Sequence, residues 1–84
     1  MNEWIDEYDD DCKIIASTIQ IGTFELTIHH YVGCGNIWFV TSYHVFNRRQ
    51  LAQLNIEFAK KKVIDLFNNV LKKALKDIED IKHE

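Results

Sequence analysis

The chain has 84 residues, 46% of them hydrophobic, 27% charged, with no proline and a net charge of −3. That length suits one domain with a small core, and no apolar run approaches the 18 or so residues a membrane-spanning helix needs. Overall acidity argues against bulk nucleic-acid binding, which rests on neutralising phosphates. The charge is nevertheless polarised. Residues 1–47 carry seven acids and one base, whereas residues 48–84 carry nine bases and six acids.

The N-terminal segment, residues 1–11, is acidic and holds Trp4, Ile5 and Tyr8 among its charges. The i, i+1, i+4 spacing of those three fits one short helical turn, and the alternative is a frayed terminus. It has neither a basic start nor an apolar run, so no secretory leader is expected and the expected location is the cytoplasm. Cys12 and Cys34 are then expected as free thiols.

From Cys12 the pattern turns to β. Ile14, Ile15, Thr18, Ile19 and Ile21 are β-branched and favour a strand. Gly22 suits a tight hairpin, and residues 23–32 alternate, with Phe24, Leu26 and Ile28 on one face. Gly33-Cys34-Gly35-Asn36 signals a turn. A third strand over 37–43 sets Trp38, Val40 and Ser42 on one side and Ile37, Phe39, Thr41 and Tyr43 on the other, so both sides are expected to be used. Residues 46–54 read as a connector tucked down by Phe46, Leu51 and Leu54.

The last third predicts one amphipathic helix over about 55–82, capped by Asn55 and favoured by Glu57 in its first turn. At about 100° per residue, Ile56, Ala59, Val63, Leu66, Phe67, Val70, Leu71, Ala74, Leu75, Ile78 and Ile81 fall within about 180°. Such a helix is about 42 Å long, more than twice the span of a short strand. One small sheet cannot cover its stripe. The expected fold is α+β: a three-stranded antiparallel meander (about 12–45) against one long C-terminal helix, in βββα order. The uncovered part of the stripe, at Leu71, Leu75, Ile78 and Ile81, is expected to meet a partner or a second copy of the chain.

Candidate chemistry is sparse. His29 and His30 adjoin on a strand and point to opposite faces, and a set of His29, Cys34 and His44 lacks the spacing of a zinc motif. Cys34 with His30 or His44 is the sole trial pairing for nucleophilic catalysis, and it sits in a hairpin tip with no oxyanion site. Gly33-Cys34-Gly35 precedes no helix and so is not a nucleotide loop. The expectation is a non-enzyme without metal or cofactor. Trp4, Tyr8, Asp9, Asp10 and Asp11 are the candidate contacts for a partner protein, the acids imitating a row of phosphates and the aromatics serving as anchors.

Arg48 and Arg49, with Lys60, Lys61 and Lys62, form the alternative candidate set, a nucleic-acid contact. Here Ile56-Glu57-Phe58-Ala59-Lys60-Lys61-Lys62-Val63 loosely resembles a double-stranded-RNA-binding domain, whose last helix opens with phosphate-binding lysines. The first helix of that family is missing or reduced to an acidic turn in this chain.

A second resemblance spans roughly residues 12–75. Gly22-Thr23-Phe24-Glu25-Leu26-Thr27-Ile28-His29, Ile37-Trp38-Phe39-Val40-Thr41 and Ile56-Glu57-Phe58-Ala59-Lys60 look like small uncharacterised proteins of phages and prophages. Compact, acidic, proline-free chains of this size are similar in kind to phage inhibitors of host defence, including anti-CRISPR proteins. The resemblance implies a phage-encoded protein, acting in the cytoplasm of a bacterial host, that binds and inhibits a host protein such as a defence nuclease complex. It assigns no residues.

Overall fold

A computed structural model describes residues 2–52 and 55–83. Five strands, β1 (Ile5–Tyr8), β2 (Ile14–Ile21), β3 (Phe24–His29), β4 (Phe39–Ser42) and β5 (Phe46–Gln50), precede one helix, α1 (Ile56–Lys82). The strands form a single antiparallel meander in sequence order. The α+β class and the long terminal helix are as the sequence predicts. The strand count is not: the sheet has five strands, not three.

Both extra strands are polar edges. The N-terminal segment is not a helical turn; Ile5–Tyr8 pairs with β2, setting Ile5 opposite Thr18 and Asp6 opposite Ser17. The expected connector contains β5, whose Asn47, Arg48, Arg49 and Gln50 are exposed. Charged edge strands deter edge-to-edge association, and their composition hides them from a hydrophobic-pattern reading. The meander therefore runs from residue 5 to residue 50.

The turns follow from local chemistry. A two-residue loop, Gly22-Thr23, joins β2 to β3, and Gly22 takes the positive φ (60°) that such hairpins demand at their first central position. Asp9 builds the β1–β2 turn. Its carboxylate accepts from the backbone N–H groups of Asp11 and Lys13, each at 2.9 Å, while the Cys12 N–H bonds to its carbonyl at 3.1 Å. Cys12 closes that turn at φ 63°, a conformation that costs a non-glycine residue roughly 1–2 kcal/mol.

One face of the sheet carries the core. Leu26, Ile28 and Val40 are fully buried there, joined by Ile19, Trp38, Phe46 and Leu51. Leu54, expected beside them, lies outside the described residues. The helix supplies Ala59, Val63 and Phe67, with Ile56 and Leu66 partly buried around them. The Phe67 ring meets Phe24 edge-on at 5.1 Å. Asn55 caps the helix, its side chain accepting from the Glu57 N–H at 2.8 Å. Phe58 points away from the core and is exposed.

Candidate functional site

The helix divides at Phe67. Its first three turns lie on the sheet. From Asn68 to His83 every residue is exposed, and the molecule is 56 Å in its longest dimension against 29 and 19 Å in the others. The apolar stripe continues along this projecting arm. Val70 is 40% exposed, Leu71 37%, Leu75 63%, Ile78 48% and Ile81 67%. A lone exposed leucine is ordinary, whereas these five large apolar side chains form one contiguous exposed stripe. The arm also starts at Asn68-Asn69, two weak helix formers, and little beyond them but its own backbone bonds and local ion pairs such as Lys73–Asp77 (4.0 Å) holds it helical.

The N-terminal candidates separate into two roles. Trp4 packs against the core and lies 5.9 Å from the Lys60 ammonium, beside a shallow hollow of ≈ 400 Å³ that Glu57, Lys61, Ile64 and Asp65 also line. Asp9 is committed to its turn. Tyr8, Asp10 and Asp11 remain exposed at the end of the first hairpin, available to a partner.

Asp6, which sequence reasoning passed over, is the charged group most firmly built into the fold. It extends from β1 toward the helix, where Lys60 approaches its carboxylate at 3.0 Å and the Ser17 hydroxyl donates to it. Burial alone would raise its pKa; the Ser17 hydrogen bond and the Lys60 charge, with a smaller contribution from Tyr8, outweigh that and hold the carboxyl below its ordinary range. Lys60 is itself only 9% exposed and lies 3.6 Å from Glu57. It is therefore not a phosphate contact, and the lysine cluster of the nucleic-acid reading is reduced to Lys61 and Lys62. Arg49 is exposed on β5, and the Arg48 guanidinium lies over the Tyr31 ring at 5.4 Å.

The histidines do not converge. His29 bonds to the Thr41 hydroxyl at 2.8 Å, His30 stacks on Trp38 and bonds to the Ile37 carbonyl at 2.9 Å, and His44 sits against Tyr43 in the β4–β5 turn. Among the described residues no three His, Cys, Asp or Glu side chains are grouped to hold a metal ion. Cys12 and Cys34 are both exposed and unpaired.

The sheet face away from the helix carries a feature the strand pattern only hinted at. Tyr31 meets both His29 and Phe39 edge-on, at 4.7 and 4.9 Å, and Thr18, Thr27 and Thr41 line up across three strands beside them. Where β3 and β4 part beyond Thr27 and Thr41, an open notch of ≈ 410 Å³ runs between Phe24–Glu25 and Ser42–His44. It arises from strand splay, which no sequence motif encodes.

No helix among the described residues is long and apolar enough to cross a membrane. Compared with known proteins, the chain matches no protein-family model, no curated protein and no solved structure.

Proposed function

We propose that this chain is a non-enzymatic interaction protein, encoded by a phage or mobile element, that binds and inhibits a host protein in the bacterial cytoplasm. The observation that carries the reading is the projecting half of α1, whose apolar stripe stays exposed among the described residues. A body of sheet and half-helix holding out a sticky arm is suited to binding rather than to turnover. The acidic hairpin end at Tyr8, Asp10 and Asp11 supplies a second contact, of a charge that fits a basic, phosphate-binding surface on the target. The resemblance in kind to phage inhibitors of host defence points to the same class of target.

The test is capture from host extract by tagged protein, with and without nuclease. The expected result is one enriched protein that survives nuclease treatment. Its affinity is expected to fall roughly tenfold with Asp10→Lys/Asp11→Lys, measured on the purified pair. Enrichment that vanishes with nuclease would move the function to Arg48, Arg49, Lys61 and Lys62 and overturn the proposal.

A further inference from the structure

Taking the arm to be a protein-binding surface, as above, we infer that the arm's own partner is the arm of a second copy, aligned antiparallel. The argument is one of charge and register. At about 100° per residue, with Leu71 as zero, Leu75 and Ile78 fall within about 40° of it, and Ala74 and Ile81 lie on one side within about 80°. Lys72 and Glu79 share the other flank, at about 100° and 80°.

Two helices that meet antiparallel about a two-fold axis bring like flanks together. The register that sets Leu71 opposite Ile81 of the second copy also sets Ala74 opposite its Ile78, a small side chain against a large one. The same register brings Lys72 within one residue, about 1.5 Å along the axis, of level with Glu79 on the same flank of the second copy, within reach of an ion pair that symmetry repeats. Lys72 forms no ion pair within its own chain among the described residues, and Glu79 makes only long contacts there, 4.0 Å to Lys82 and 3.8 Å to His83. On a coarser scale, Lys72, Lys73 and Lys76 of each arm face the half that holds Asp77, Glu79 and Asp80 of the other. A parallel pairing does the reverse. It brings opposite flanks together, so that Lys72 and Glu79 face the apolar flank of Ala74 and Ile81 with no ion pair, and it sets the helix dipoles side by side in the same sense.

The paired segments are about 20 Å long, smaller than a standard interface of about 800 Å² per partner, so the dimer is reversible and its Kd is on the order of micromolar. Sedimentation equilibrium at about 200 µM, well above such a Kd, is the measurement. The wild-type chain is expected to run at twice its 9.9 kDa monomer mass, and Leu75→Glu, checked for its fold by circular dichroism, at the monomer mass.

Lys72→Glu and Glu79→Lys are each expected to weaken the dimer about tenfold. An equimolar mixture of the two variants restores it, because the heterodimer regains both ion pairs; the double variant restores it as well. A wild-type monomer at this concentration overturns the inference. So does a dimer that Leu75→Glu dissociates but neither charge variant weakens, since its geometry is then not this one. A monomer whose captured host protein is lost with Leu75→Glu overturns the second copy as occupant and leaves the arm's protein-binding role intact. If Leu75→Glu matches the wild type in both mass and capture, both readings of the arm fail.

Discussion

Ile28→Ala is expected to lower the unfolding free energy by about 3–4 kcal/mol, whereas Leu75→Ala changes it by less than about 0.5 kcal/mol in dilute solution. The two residues are large aliphatics of similar hydrophobicity in regular structure. They differ in that Ile28 is fully buried at the centre of the sheet and Leu75 stands on the arm. Truncating Ile28 loses its transfer free energy and leaves a cavity between β3 and the helix. Truncating Leu75 removes apolar surface already in water, and alanine is the better helix former. A domain this small holds only about 5–10 kcal/mol in all, so Ile28→Ala consumes a large share of it. Urea unfolding of both variants, followed by tryptophan fluorescence at about 0.05 µM protein, well below the dimer's Kd, checks the contrast. A loss at Leu75 comparable to that at Ile28 would mean that the arm folds back onto the sheet.

The second large effect is expected at the Asp6–Lys60 pair. Lys60→Met keeps the aliphatic stem but leaves the Asp6 carboxylate beside Ser17 with its cation gone, at an expected cost of about 2 kcal/mol. That figure is below the range for a fully buried pair because the two side chains keep 11% and 21% of their exposure. Asp6→Asn together with Lys60→Met is expected to cost less than the sum of the single changes, as coupled neighbours do.

The pH dependence has a definite sign. The folded pKa of Asp6 lies below its ordinary 3.8, so the folded state binds this proton less readily than the unfolded chain does. The stabilisation is fully present well above pH 4 and is lost as pH falls through 3.8 toward the folded pKa. The gap in melting temperature between wild type and Asp6→Asn is therefore expected to hold constant near neutrality and to close below about pH 4. A gap that stays constant down to pH 2 would place the difference in packing rather than in charge.

How much was legible in the sequence follows from what each residue contributes. The helix and its excess length were legible because eleven apolar residues keep one period over 27 positions, and periodicity is additive evidence. The central strands were legible from β-branched residues and alternation, including the paired burial of Trp38, Val40 and Ser42 on the core side. The edge strands were not, because Ile5-Asp6-Glu7-Tyr8 and Phe46-Asn47-Arg48-Arg49-Gln50 carry polar side chains into solvent and owe their strand state to pairing with a neighbour.

That misreading propagated to the candidate sites. With β1 unseen, Asp6 appeared as one acid among many, and Lys60 as the first lysine of an exposed cluster. Only the pairing of β1 with β2 brings those two side chains together beneath Trp4. Asp9 likewise appeared as a surface charge, although its side chain is a structural part of its turn.

The division of α1 into a packed half and a projecting half that meets other molecules is tested most directly by amide hydrogen exchange along the helix at two protein concentrations. In dilute protein, at about 0.05 µM and so well below the dimer's Kd, amides from Ala59 to Phe67 are expected to exchange only through global unfolding, and those beyond Asn69 orders of magnitude faster. At about 500 µM the slow region is expected to extend through Ile81, because association stabilises whatever it covers. Uniform slow exchange along the whole helix in the dilute sample would contradict the account, since the stripe would then be covered within a single chain.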